Sequence, residues 1–306
     1  MVWFKNAIIY QIDNDNNTLL NRDKLKEAVK SVPFTPCSSL DTEKIGWVSP
    51  YNDKNQNDFI IDVQGQLLLR IKKETKLLPA TVIKQALLEK IDKQEQALGR
   101  KPTKNEKAKL KDEVKIDLIA RAFSKCTHYW VWIDTINKRI ILDASSFKQA
   151  EDILAILRKE MGALALSLTP LSIEKPLEQI MTIWAREKLK FAHFILGDQA
   201  ELKDPLEGNG IISCKNQEIT SDEMMIHFDS GKWITKVKIF DERGVNFSLC
   251  NNYTFKQIKF EPSILDENED IGADEFDKKL EADFFIMANV LSKTIEDIKN
   301  ILVSIP

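Results

Sequence analysis

An α+β fold is what this sequence of 306 residues predicts, and three observations lead there. Two stretches rich in β-branched and aromatic residues, 58–74 and 128–145, each double back about a short polar turn and read as hairpins. Segments of helical period lie between and after them. The two kinds of segment do not alternate in the βαβ rhythm that a parallel sheet needs.

In chain order, "WFKNAIIYQID" has strand composition, and "NRDKLKEAVKSV" reads as a short helix with Asn21 as its N-cap. "TPCSSLDTEKIGWVSPYNDKNQNDF" is rich in Ser, Asn, Asp and Pro and reads as loop. "DFIIDV" and "QLLLRIKKE" flank a turn at Gln64 and Gly65. An insertion follows. From Pro79, suited to the first turn of a helix, Ile83, Leu87, Ile91 and Leu98 recur at about helical spacing, and Gly99 ends the run. Thr103 and Glu106 form a T-x-x-E capping box that opens a second helix through about Ala120. The first of these helices, some 19 residues long, should run about 28 Å at ~1.5 Å per residue, enough to project as a helical hairpin.

"HYWVWIDTINKRIILDAS" is the second strand hairpin, turning at Asn137 and Lys138, and "SFKQAEDILAILRKEMG" is a helix closed by Gly162. Beyond Pro170, "LEQIMTIWAREK" is helical, "NGIISCKNQEI" a strand, and "SDEMMIHFDSG" a helix capped by Ser221 and ended by Gly231. "KWITKVKIF", "VNFSLC" and "TFKQIKF" form a meander with turns at Glu242-Arg243-Gly244 and Asn251-Asn252. "DEFDKKLEADFFIMANVLSKTIEDIKNIL" is a long last helix. The expected division is a central α+β domain from 1–78 with 121–170, a helical hairpin or tip from 79–120, and a C-terminal α+β or base domain from 171–306.

Composition narrows the function. Apolar residues make up 43%, enough for a real core, and no apolar run approaches the roughly 20 residues that span a bilayer. The first residues lack a signal-peptide pattern, and Cys37, Cys126, Cys214 and Cys250 are scattered without C-x-x-C. Reduced thiols in a cytoplasmic protein are expected. No P-loop, dinucleotide fingerprint, H-E-x-x-H or G-x-S-x-G occurs, and His128, His193 and His227 are isolated in sequence. "DENEDIGADEFD", Asp266 to Asp277, imitates a calcium loop, with Asp266, Asn268 and Asp270 at its first, third and fifth positions. Ile271 stands where the glycine is required, and Asp277 where the bidentate Glu belongs. No cofactor, metal or enzyme activity is expected.

Charge is the stronger signal. Residues 70–125 hold 16 Lys or Arg against 8 Asp or Glu, while 261–306 hold 4 against 12. Two opposite fields thus hide inside a net charge of −3, and the basic one points to a polyanion. Lys104, Lys107, Lys111 and Lys115 fall within an arc of roughly 80° on a helix. Lys72, Lys73, Lys76 and Lys84 gather where the hairpin begins. The competing account is a solvated face. Since no zinc finger, RNP or KH signature accompanies the lysines, binding would be to phosphates without sequence preference.

Ordered blocks run the length of the chain: "MVWFKNAIIY", "FTPC", "GWV", "LLPATVIKQALLEKI", "LKDEV", "RAFSK", "WIDT" and "NEDI…F…ADFF". In sequence and spacing they closely resemble the RdgC family of bacterial recombination-associated proteins. The resemblance implies an α+β homodimer that closes into a ring with a basic hole and binds duplex DNA, and single-stranded DNA as a further candidate. It implies restraint of RecA-promoted strand exchange in recombination and replication-fork repair, a nucleoid-associated place in the cytoplasm, and no catalysis. In "RAFSK", Phe123 matches an aromatic at one dimer contact, with Arg121 and Lys125 beside it as DNA-binding bases; an ordinary core phenylalanine is the other reading. In "CKNQEIT", Lys215 and Gln217 match a polar pair near the second dimer contact, with Asn216 where a lysine is common. Lys72, Lys73, Lys76 and Lys84 lie in a block whose bases the family keeps in kind. The alternative is a protein-interaction module whose basic hairpin docks on an acidic partner such as RecA.

Overall fold

The computed structural model describes residues 2–12, 20–51, 58–161, 168–171, 175–205, 210–272 and 275–305. In chain order the elements begin with β1 (Asn6–Ile12), α1 (Arg22–Ser31), β2 (Glu43–Val48), β3 (Ile60–Val63), β4 (Gln66–Lys76), α2 (Ala80–Leu98) and α3 (Lys104–Arg121). Next come β5 (Ser124–Asp134), β6 (Arg139–Leu142), α4 (Phe147–Met161), β7 (Leu168–Pro170), α5 (Leu177–Arg186), β8 (Phe194–Lys203), β9 (Ile211–Lys215) and α6 (Asp222–Asp229). The chain closes with β10 (Trp233–Asp241), β11 (Val245–Cys250), β12 (Phe255–Phe260), α7 (Pro262–Leu265) and α8 (Phe276–Ser304). The fold is α+β. Two compact units form: Met1–Ser31, Ser49–Arg70 and Tyr129–Pro306 make the larger, Val32–Val48 and Ile71–His128 the smaller.

The larger unit is an antiparallel sheet in the order β4-β5-β6-β1-β12-β11-β10-β8-β9, with β3 beside β4 and β7 beside β1. Its hinge is β1. Asn6 and Ala7 pair with Lys256 and Phe255 of β12, Ile8–Gln11 pair with Leu142–Arg139 of β6, and Tyr10–Ile12 pair with β7. The Gln64-Gly65 turn is a two-residue connection closing Val63 onto Gln66, with φ of 51° and 80°, the left-handed pair that matches strand twist. Asn21 caps α1 as expected, its Oδ1 accepting from the N–H of Asp23 (3.1 Å) and Lys24 (3.2 Å). The end of α6 is a Schellman motif: Gly231, at φ 84°, donates to Phe228 O, and Lys232 N–H donates to His227 O. Gly162, expected to close α4, lies outside the described residues.

Helix α8 lays Leu280, Phe284, Met287, Leu291, Ile295, Ile298 and Leu302 into the core, at the three- and four-residue intervals of a single stripe. Phe284 meets Trp132 edge-on at 6.3 Å between centroids, and Trp132 meets Phe4 at 6.2 Å. Two ionic clusters, one buried and one half-buried, pin the same helix. Arg139 Nε donates to Asp134 Oδ2 (3.1 Å), Gln66 Nε2 donates to Asp134 Oδ1 (3.1 Å), and Trp132 Nε1 donates to Gln66 Oε1 (2.6 Å). Ser292 of α8 completes that cluster, donating to Asp134 and accepting from Arg139. Burial pushes the Asp134 carboxyl up, but the hydrogen bonds and the Arg139 charge pull it below the usual carboxylate range. In the second cluster Arg243 binds Asp241 (2.7 Å) and Asp297 (2.6 Å), while Thr294 donates to Asp241.

Two expectations need correction. The stretch 35–59, read as loop, contains β2. Trp47 is buried there, exchanging backbone hydrogen bonds with Val32 and Phe34, and a Cβ on Gly46 would sit 2.6 Å from Phe34 Cα. Three residues, Ile45 to Trp47, carry the strand inside a polar sequence, too short a run to show periodicity. The meander also has a further partner, absent from the three strands expected there. β8 lies along β10 with two register shifts, which scramble its alternation.

Candidate nucleic-acid interface

The smaller unit is built around the predicted helical hairpin. α2 spans 19 residues and stops at Gly99, whose φ of 67° lets its N–H reach Glu95 O at 2.9 Å. Thr103 and Glu106 form the expected capping box: Thr103 N–H donates to Glu106 Oε2 (2.7 Å) and Glu106 N–H donates to Thr103 Oγ1 (3.4 Å). Arg100 clamps the same carboxylate through both terminal nitrogens, at 2.8 and 3.0 Å. Those bonds from Arg100, joined by the Thr103 backbone and hydroxyl, draw Glu106 down to about 2. The two helices pack on each other with little core. Val114 and Ile119 of α3 are buried, no residue of α2 is, and of the expected stripe Ile83, Leu87 and Ile91 are half-buried while Leu98 is exposed.

Charge is sorted across that seam. At ~100° per residue, Leu110, Val114 and Leu118 run down one side of α3, with Glu106, Glu113 and Asp117 on one flank and Lys104, Lys107, Lys111 and Lys115 on the other. The acidic flank is neutralised within the hairpin: Lys90 of α2 donates to Glu113 (3.3 Å) and Asp117 (3.1 Å), and Arg100 holds Glu106. The lysine flank is not. Lys104, Lys107 and Lys111 are exposed and have no acidic partner among the described residues; Lys115 has only Asp112 at 3.8 Å. The unit holds 16 Lys or Arg against 10 Asp or Glu, a net +6, and the remaining 28 and 37 leave −9 for the larger unit.

At the root of the hairpin the predicted lysines do not form one patch. Lys72 and Lys73 point to opposite faces of β4 because side chains alternate along a strand. Lys72 Nζ sits 4.6 Å over the Phe34 ring, Lys73 pairs with Glu43 (3.1 Å), and Lys76 donates to Ala122 O (3.4 Å). Lys84, Arg121 and Lys125 are exposed. Phe123, whose carbonyl accepts from Leu77 N–H at 2.7 Å, is 85% exposed, which excludes a core phenylalanine. An aromatic this bare, with Leu77 half out beside it, leaves apolar area that its own unit does not cover.

In the larger unit Lys215 is exposed at the end of β9. Gln217 is half-buried and donates to Ser221 (3.0 Å) and Glu223 (2.9 Å), an ordering role within the turn. Asn216 between them takes a φ of 55°. The calcium-like segment folds as a short 3-10 turn over Asp266–Asn268. Among the described residues no three His, Cys, Asp or Glu side chains are placed to hold a metal ion, and no helix is long and apolar enough to cross a membrane. One set of bases carries no mark in the sequence. "KWITKVKIF" and "TFKQIKF" hold Lys236 and Lys238 at alternate positions of β10 and Lys256 and Lys259 three residues apart on β12, where a bulge at Gln257, not alternation, turns both away from the core.

The fold and its basic hairpin define a class: an α+β protein whose larger unit has an apolar core and net acidic charge, and whose smaller unit carries a clustered cationic helical hairpin. This chain belongs to the RdgC family. The family model described as "Putative exonuclease, RdgC" matches residues 2–305. The chain is 43% identical over 303 residues to "Recombination-associated protein RdgC" of Proteus mirabilis, covering 99% of this chain and 98% of the relative. It is 40% identical over 298 residues to proteins of the same name from Yersinia pestis and Yersinia pseudotuberculosis, covering 97% of each chain.

Proposed function

We propose that this chain binds duplex DNA without sequence preference, acting as a homodimer that closes into a ring around it and restrains RecA-promoted strand exchange. The observation that carries the reading is the sorted charge of α3: its acids are neutralised within the hairpin, and Lys104, Lys107 and Lys111 are left to solvent. Such a face attracts phosphates and carries no donor pattern aimed at base edges. Recombination, the process in the relatives' names, supplies the setting. The exposed Phe123 supports a contact between copies, with Arg121 and Lys125 beside the DNA, and Lys215 and Gln217 belong to a second contact. Residues 1–78 with 121–170 serve as the centre, 79–120 as the tip and 171–306 as the base. The protein occupies the nucleoid and acts by occupancy, not by cleavage.

The deciding experiment is a gel shift with naked duplex, with and without magnesium, scored for both retardation and cleavage. Retardation of unrelated duplexes alike, with no loss of length, is expected. Magnesium-dependent shortening of the duplex would replace binding by nuclease action. Absence of retardation would turn the hairpin toward an acidic protein partner instead.

A further inference from the structure

Helix α8 carries a second stripe besides the one that enters the core. Ile286, Val290, Lys293, Asp297 and Ile301 recur at intervals of three and four, and all but Lys293 are half-buried. At ~100° per residue they lie roughly 120° round the helix from the buried stripe. From Lys293 to Ile301 this face forms one wall of a cleft of 490 Å³, and the turn Phe191–Phe194 ahead of β8 forms the other. The volume is within the roughly 300–1,000 Å³ of ligand-sized pockets.

The turn is set before any ligand arrives. Just past α5, Lys188 takes a φ of 49°, and Trp184 holds Leu189 from both directions: its carbonyl accepts from Leu189 N–H (3.1 Å) and its Nε1 donates to Leu189 O (3.1 Å). Phe194 N–H donates to Phe191 O at 3.4 Å, and the Phe191 ring stands edge-on to Trp184 with 5.1 Å between centroids. Arg243 lies over the Phe194 ring at 5.3 Å. Both rings are thereby fixed, yet Phe191 stays half-exposed.

The charge of the cleft is one-sided. Asp297, the only acid among the described residues that line it, is held by Arg243 at 2.6 Å. Lys293 at the rim, and Lys190 next in the chain to Phe191, are exposed and have no acidic partner among the described residues. The larger unit as a whole is net acidic, so this rim locally reverses its field. An apolar floor of Phe191, Phe194 and Ile301 beside free cations fits a large apolar side chain flanked by carboxylates. Duplex DNA offers phosphates but keeps its bases stacked, and so would leave such a floor empty.

We propose that this cleft docks an acidic peptide segment of a partner protein, an aromatic side chain entering between Phe191 and Ile301 while its flanking carboxylates pair with Lys293 and Lys190. The inference is independent of the DNA-binding reading and shares none of its contact residues.

The test is fluorescence anisotropy of a labelled peptide, a tryptophan flanked by three glutamates on each side, titrated with the full chain. Saturable binding is expected, weakened about tenfold or more when alanine replaces the tryptophan. Lys293→Glu should weaken it several-fold. Ala192→Trp, which supplies an aromatic to the cleft from an exposed position, should abolish it; both variants should melt like the unaltered chain. The chain with Lys104, Lys107, Lys111 and Lys115 changed to alanine should bind the peptide as before. Absence of saturation, or unchanged binding in both cleft variants, overturns the proposal. Equal affinity for the tryptophan and alanine peptides also overturns it, since binding would then be bulk charge alone. Loss in the hairpin variant only would place the peptide on α3 instead. Free indole-3-acetate binding as tightly as the peptide would make the cleft a small-molecule site, and self-association abolished by Ala192→Trp would make a second copy its occupant; either result replaces the peptide.

Discussion

The two ion clusters of the larger unit and the lysine flank of the hairpin use the same residue types to opposite ends. Arg139 and Asp134 are almost wholly buried, and their partners are supplied by the surrounding strands, the turn at Asn137 and α8. Lys104, Lys107 and Lys111 lie in the open with no acid among the described residues to neutralise them. A charge inside must be satisfied by its own fold, because an unpaired buried ion is costly. A charge outside can be left unsatisfied at little cost, since water screens it, and that leaves it available to a partner. Stability and recognition are thus assigned to different regions.

The largest expected effect tests the first half of that contrast. Asp134→Ala would strand Arg139 without its carboxylate and also remove an acceptor from Gln66, Asn137 and Ser292. Breaking a buried pair this way costs about 3–5 kcal/mol, which chemical denaturation of the purified chain would read. A change under about 1 kcal/mol would show that the cluster is dispensable. The second half is tested by replacing Lys104, Lys107, Lys111 and Lys115 with alanine. Stability should hardly move, since alanine favours helix, while the salt slope of duplex binding should fall by up to about 3.6.

Smaller effects sharpen the comparison inside the hairpin. Thr103→Ala removes one half of the capping box and should destabilise α3 by about 1 kcal/mol, seen as faster amide exchange in its first turn. Glu106 adds a pH dependence. Its folded-state pKa is depressed from the ordinary 4.5 to about 2, so its contribution is complete above about pH 4.5 and is lost as pH falls toward 2. Glu106→Gln should remove that acid-dependent step from the exchange profile. The smallest expected change in stability comes from Phe123→Ala. A buried phenylalanine would cost roughly 3–5 kcal/mol, but at 85% exposure the loss should stay within about 0.5. Sedimentation of the same variant should show weaker self-association, and unaltered association would remove Phe123 from the contact between copies.

The hairpin is the most legible part of the sequence because its signals are local. A glycine in the left-handed region, a T-x-x-E box and a four-lysine arc each act within about three helical turns, and each appears where its letters stand. Strands are harder. β2 owes its existence to pairing with β4, with Trp47 also bonded to backbone at Val32 and Phe34, and β8 to bulged pairing with β10; neither partner can be read from the strand's own residues. The basic root shows the same limit. Lys72, Lys73 and Lys76 are close in sequence, yet strand alternation gives them separate neighbours. The sheet lysines are hidden for the converse reason: they converge from β9, β10 and β12 only after pairing.

The pairing of β1 with β12 joins Asn6 to Lys256, so the first strand finds its neighbour only after some 250 further residues exist. A ribosome adding roughly 5–20 residues per second takes about 12–50 s to supply them. During that interval the apolar residues of β1 wait without β12 beside them, and the core waits longer still for α8. The hairpin of α2 and α3 needs only neighbours already made. A nascent chain therefore acquires its cationic hairpin before its body can close, and for that time a holdase, rather than β12, is what would shelter the buried Ala7.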